Sequence, residues 1–156
     1  MMKDLNPEVL SIKPSGIRKF FDLVSEMKDA ISLGVGEPDF DTPWHIREEG
    51  IHSLEKGRTF YSSNAGLLEL REEISRKIES MHGISYSPKD EVMITVGGSE
   101  AIDLAMRVIL TPGDEVLIPE PCYVSYLPCA KIAYGVPVPI PLEEKDEFRL
   151  TAEKLE

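Results

Sequence analysis

The chain has 156 residues, enough for one modest domain with a single core. Its hydrophobic content of 42% and charged content of 29% are ordinary for a globular protein in water. A formal net charge of −11 with no basic cluster argues against a nucleic-acid partner, because phosphates select clustered Lys and Arg.

Met1 to Leu10 has no apolar stretch of the kind a signal peptide needs, and no run of eighteen apolar residues predicts a membrane span. Pro14-Ser15-Gly16 precedes Ile17 to Val24, which reads as an arm followed by a short amphipathic helix. Ala30 to Leu33 reads as a short strand entering a Gly- and Pro-rich turn. Thr42-Pro43 predicts an N-cap with Pro at the first helical position, and Gly57 suits the C-terminal end of that helix. A polar loop carrying Tyr61 follows. Leu67, Leu70, Ile74, Ile78 and Met81 fall at helical spacing up to His82-Gly83, with Glu72–Arg76 and Glu73–Lys77 as expected i,i+4 pairs.

Val92-Met93-Ile94-Thr95-Val96 is a nearly continuous apolar run, as expected of a strand buried on both faces. Ala101, Leu104, Ala105, Val108 and Ile109 mark the next helix. Pro112-Gly113 is a turn, in which Pro presets φ and Gly accepts a positive one. Val116-Leu117-Ile118 predicts a second buried strand in the same sheet as Val92–Val96. A helix around Val124 to Tyr134 and a strand from Val136 to Ile140 come next. Glu143 to Glu147 is a polar turn, and Thr151 to Glu156 reads as the start of a helix. This alternation predicts an α/β fold with a mixed or mostly parallel sheet flanked by helices.

Several residues could carry chemistry. Gly97-Gly98-Ser99 lies between the expected strand and a helix. Free amides at a helix N-terminus, glycines that allow close approach and a serine hydroxyl together make an anion cradle; a tight turn capped by Ser99 is the plainer alternative. Glu100 would bring a carboxylate near such an anion unless it turns away. Tyr123, after a strand, could stack on a planar ligand or simply cover the strand end. Gly34-Val35-Gly36-Glu37-Pro38 is not a dinucleotide fingerprint, because the third glycine is missing and Pro38 prevents a helix from opening there. Ser25-Glu26-Met27-Lys28 matches a β-lactamase tetrad without its partner motifs and reads as chance. His45, His52 and His82 form no metal set. Cys122 and Cys129, if helical, stand about 10 Å apart in rise, too far for a local disulfide, and two thiols suit a reducing cytoplasm.

Four motifs stand in a fixed order: Ser32 to Phe40, Tyr61-Ser62-Ser63-Asn64-Ala65-Gly66 with Leu70-Arg71, Val96 to Ala101, and Pro119-Glu120-Pro121-Cys122-Tyr123. Together they resemble the N-terminal part of the class I and II aminotransferases, pyridoxal phosphate (PLP) enzymes of the type I fold related to aspartate aminotransferase. The resemblance spans nearly the whole chain. It implies an N-terminal arm, helix and glycine-rich segment over 1–40 and an incomplete PLP-binding large domain over 41–156. It implies that Gly98, Ser99 and Glu100 hold the cofactor phosphate and Tyr123 stacks on the pyridine ring. Gly36 would lie by the substrate carboxylate. Tyr61 would reach the neighbouring subunit's phosphate site in a homodimer. The expected chemistry is amino-group transfer between an amino acid and a 2-oxo acid in the cytoplasm. A C–S lyase of the same fold, or a binding module without catalysis, are the alternatives. None of the ten lysines stands in the Ser-Lys context of the family's covalent lysine, so no catalytic residue is assigned and the chain alone is expected to be inactive.

Overall fold

A computed structural model describes residues 5–13, 27, 36 and 38–155. The helix expected at Ile17–Val24 and the strand expected at Ala30–Leu33 lie outside these residues. The chain divides into two compact units: Met1–Ser15 with Thr95–Glu156, and Gly16–Ile94.

The first unit begins with a short helix α1, Pro7–Ser11, in which Asn6 Oδ1 accepts from the Glu8 amide at 3.0 Å and a proline opens the helix. Its other elements are described after those of the second unit, so that labels follow the chain.

The second unit contains α2, Trp44–Glu55, and α3, Leu68–His82. α2 starts one residue later than the Thr42-Pro43 pattern predicts. Pro43 is the capping residue, and its carbonyl accepts from Ile46 and Arg47 at 3.0 and 3.2 Å. Gly57, at φ 67°, follows the end of α2 in the left-handed region, as the sequence predicts. α3 ends on Gly83, also left-handed, whose amide donates to the Glu79 carbonyl at 2.8 Å.

The buried face of α3 holds Arg71 and Ser75, with Ile74 and Ile78 half-buried beside them. The Arg71 guanidinium donates to the carbonyls of Pro88 and Lys89 at 2.8 and 3.2 Å, and Ser75 Oγ donates to the Tyr86 carbonyl at 2.5 Å. A helix face that pins a returning loop by its carbonyls needs donors there, not leucines. On the outer face the ion pair is Glu73–Arg76, in place of the expected Glu72–Arg76 and Glu73–Lys77 pairs. Both spacings put side chains on one helix face, and Arg76 takes the nearer partner.

Val92–Val96 is not a strand. The segment has no strand partner among the described residues, and Met93 and Val96 are exposed, Val96 at 92%. Among the described residues of the second unit it is anchored by the Ile94 amide, which donates to the Ala65 carbonyl at 3.0 Å. An extended apolar run becomes a strand only where an adjacent ladder takes up its amides and carbonyls. Gly66 makes this anchor possible. It sits at φ 90°, and a Cβ there would lie 2.6 Å from the Ile94 Cβ.

The rest of the first unit is α4, Gly98–Ile109; β1, Glu115–Glu120; α5, Tyr126–Ile132; and β2, Val136–Pro141, with single 3-10 turns at Glu144–Asp146 and Ala152–Lys154. The last of these stands where a starting helix is expected. β1 and β2 run parallel, with Glu115 opposite Val136 and Glu120 opposite Pro141, and α5 lies between them in the chain. This is the strand–helix–strand passage the sequence predicts, but the described sheet has these two strands only. Its core is Ile118, Cys129, Ala130, Ala133 and Ile140.

Entry into β1 is fixed by the Thr111–Asp114 turn. Gly113 takes φ 98°, and Asp114 accepts from both the amide and the hydroxyl of Thr111, at 2.8 and 2.9 Å. These two donors hold the Asp114 carboxyl below its ordinary range.

β2 has a chemical asymmetry. The Val136 and Leu142 amides donate to the Asp114 and Glu120 carbonyls at 2.8 and 2.7 Å, so even-numbered amides face β1. The two-residue period turns Pro137, Pro139 and Pro141 to the opposite side. That edge has acceptors and no ladder donors, which suits an edge strand.

Candidate functional site

α4 opens on Gly97, at φ 84° and ψ 171°, with no side-chain cap. No described residue accepts from the amides of Gly98, Ser99 or Glu100; the first engaged amide is that of Ala101, which reaches the Gly97 carbonyl at 3.5 Å. Three donors at the positive end of a twelve-residue helix therefore point outward. Thr95 Oγ1 donates to the Gly97 carbonyl at 3.0 Å, which steadies the turn from the other side.

The Glu100 carboxylate is itself engaged. It folds back and accepts from the Val96 amide. The third residue of a helix commonly reaches back in this way to an amide ahead of the first turn. The charge is thereby drawn toward residue 96.

Tyr123 meets Ser99: its phenol oxygen lies 3.2 Å from Ser99 Oγ. Ser125 Oγ lies 3.5 Å from the same Ser99 oxygen. The hydroxyls of Ser99 and, second, Ser125 hold the Tyr123 phenol below its ordinary pKa, because donors around an oxygen favour its ionised form. The Tyr123 ring stands edge-on to Tyr126, with centroids 5.8 Å apart, and remains half exposed. An open groove of about 1040 Å³ runs past these groups, lined also by Ile12, Lys13, Cys122 and Leu127. Cys122 is exposed and Cys129 is buried in α5; both thiols are free, and burial raises the pKa of each.

The residues singled out in the sequence thus separate into two groups. Gly98, Ser99, Glu100 and Tyr123 share one place, with Ser99 and Tyr123 in hydrogen-bond contact. Tyr61 belongs to the second unit and is fully exposed. Gly36 is exposed, and no described residue stands within 4 Å of where its Cβ would be. Ser125 was not legible as a site residue. The available signal was its position two residues after Tyr123, at the start of the expected helix. Among the described residues no His, Cys, Asp and Glu cluster could hold a metal, and no helix is long and apolar enough to cross a membrane.

Residues 28–156 match the family model described as aminotransferase class I and II. An aromatic-amino-acid aminotransferase of Thermococcus litoralis is 47% identical over 152 residues, which are 97% of this chain and 39% of that protein. An aspartate aminotransferase of Pyrococcus abyssi is 47% identical over 144 residues, 92% of this chain and 37% of that one. The structure of aspartate aminotransferase from Thermus thermophilus with maleate superposes with a TM-score of 0.87 at 35% identity, covering 99% of this chain and 41% of that one. The chain spans about 40% of the length of the relatives it matches.

Proposed function

We propose that this chain, which belongs to the aminotransferase class I and II family, forms the phosphate-holding wall of a PLP site that moves an amino group between an amino acid and a 2-oxo acid. The observation that carries the proposal is the open N-terminus of α4, with three unengaged amides beside the Ser99 hydroxyl.

These residues fit the cofactor. The amides of Gly98, Ser99 and Glu100 offer fixed donors to a phosphate, and they need no reorganisation to do so. Ser99 adds a hydroxyl. Glu100 keeps its carboxylate on the Val96 amide, which leaves the three amides free for the phosphate. Tyr123, half exposed beside Ser99, offers an aromatic face to a ring attached to that phosphate. Bound PLP supplies an electron sink for bonds at an amino acid's α-carbon. The chain's own part is to grip the phosphate and orient the ring.

In the same reading, Gly36 lies by the substrate carboxylate, and Tyr61 of one subunit serves the phosphate site of a second copy in a homodimer. The full exposure of Tyr61 supports this, because a phenol meant for a partner is free in its own chain. Residues 1–40 form the arm and substrate-side segment, and 41–156 part of the large domain. The free thiols of Cys122 and Cys129 suit the cytoplasm.

The test is calorimetric binding of inorganic phosphate and of PLP to the chain. Ser99→Ala removes a hydrogen bond to a charged group and should weaken both by roughly tenfold or more. Unchanged binding would overturn the phosphate assignment. An amino acid with 2-oxoglutarate should show no turnover by the chain above PLP alone, since none of its lysines has the Ser-Lys context expected of the covalent amine.

A further inference from the structure

We infer that Ser125 is a positioning residue of the phosphate site, holding Ser99 so that the Ser99 hydroxyl donates to the bound anion. The inference rests on the phosphate reading of the α4 N-terminus and adds a residue that the sequence motifs do not mark.

Three oxygens meet at one point. Ser99 Oγ lies 3.2 Å from the Tyr123 phenol and 3.5 Å from Ser125 Oγ. Each hydroxyl has one proton and two acceptor lone pairs. With no anion present, the direction of the chain is open and either oxygen of each pair can donate.

An anion on the amides of α4 removes that freedom. An unprotonated phosphate oxygen only accepts, so the Ser99 proton must turn to it. Ser99 Oγ then keeps two lone pairs, and the donors that face them are Tyr123 and Ser125. The anion thus selects one arrangement, in which both neighbours donate to Ser99 and Ser99 donates outward. A hydroxyl that accepts two hydrogen bonds is a better donor for the third, because the bonds polarise one another.

The local structure of Ser125 fits this role. It stands immediately before α5, where a serine side chain commonly accepts from the second or third amide of the helix. Here it makes no such bond, and its own backbone is already helical, at φ −83° and ψ −19°. Its carbonyl accepts from Cys129 at 3.0 Å, so the backbone of Ser125 is tied into α5 while its hydroxyl turns toward Ser99. The serine is half-buried on a helix whose Cys129 and Ala130 lie in the core. The hydroxyl is therefore mounted on a fixed support.

The experiment titrates inorganic phosphate and PLP into the chain and its variants, with pyridoxal, which lacks the phosphate, as a control. Ser125→Ala should weaken phosphate and PLP by roughly three- to tenfold, the range of one neutral hydrogen bond, and leave pyridoxal unchanged. Ser125→Thr should restore binding. In a Ser99→Ala background the Ser125 effect should vanish, because the load passes through Ser99. With no anion present, the Tyr123 phenol, followed by ultraviolet absorbance, should titrate higher in Ser125→Ala than in the unaltered chain. Wild-type phosphate affinity in Ser125→Ala, or an equal loss with and without Ser99, would overturn the inference while leaving the phosphate site standing. Wild-type affinity in Ser99→Ala would remove the site itself, and the inference with it.

Discussion

Two regions of the molecule have similar apolar sequences and opposite fates. Around β1, α5 and β2 one layer of apolar residues is enclosed, with Ile118 at 3% exposure and Ala130 at 0%, while Leu117 and Val136 remain exposed. At Met93, Val96 and the end of α4 they face outward, with Val96 at 92% and Val108 at 84%, while Val92 and Ile94 are half-buried. Residue type does not account for the difference, since both stretches are rich in Val and Ile. What differs is the partner: β1 has β2 beside it and α5 packed on both, whereas no described strand pairs with Val92–Val96. An apolar run states how much surface could be removed from water, and the neighbour decides whether it is.

The largest expected effect tests that contrast directly. Ile118→Ala should destabilise the chain in urea by about 2–5 kcal/mol, through lost burial and the cavity left behind. Val96→Ala should cost less than about 0.5 kcal/mol, as substitutions away from packed sites do. Equal shifts of the two midpoints would show that Val96 is buried in solution and break the comparison.

The second contrast is between two left-handed glycines. Gly66→Ala meets Ile94 at 2.6 Å and adds backbone strain, so a loss of about 2–4 kcal/mol is expected. Gly57→Ala carries the strain alone, with nothing within 4 Å, and should lose about 1 kcal/mol. If the two variants melted together, the Gly66–Ile94 anchor would not exist as described.

A third change should move association more than stability. Pro139→Val restores an amide donor to the outer side of β2 and should stay within about 0.5 kcal/mol of the parent. Sedimentation velocity should nonetheless show more self-association, because the edge can then pair. An unchanged sedimentation profile would mean that the prolines do not guard that edge.

The smallest effect concerns pH. The Asp114 carboxyl is held low by Thr111, so the stability it adds is complete above the unfolded value of about 3.9 and is lost as pH falls through the lower folded value. Asp114→Asn should flatten that acid limb and leave the neutral region's pH dependence alone. Thermal midpoints from pH 2 to 6 would reveal it.

The strand–helix–strand passage was legible because its signals are local. Pro112-Gly113 demands a turn, and Val116–Ile118 and Val136–Ile140 have the length and composition of strands. The α4 N-terminus was legible for the same reason: glycines and a serine before an amphipathic stretch leave few other conformations. The sheet membership of Val92–Val96 was not legible, since pairing depends on another segment. Nor was the burial of Arg71 and Ser75, which depends on the carbonyls of Tyr86, Pro88 and Lys89 arriving from outside the helix. Glu100 illustrates the limit most sharply. Its charge could be read from the sequence, but the rotamer that carries the charge to Val96 could not.

The register of β1 on β2 bears also on how fast this part of the molecule forms. Every pair from Glu115–Val136 to Glu120–Pro141 joins residues twenty-one apart, since 136 − 115 and 141 − 120 are both 21. Bringing such ends together costs modest loop-closure entropy, and α5 shortens the intervening chain further. A parallel ladder forms only once the crossover between its strands is in place, so the pairing is expected to follow α5 rather than precede it. The α4 N-terminus, thirteen residues before the Thr111–Asp114 turn that leads into β1, would then meet Ser125 on an α5 already formed.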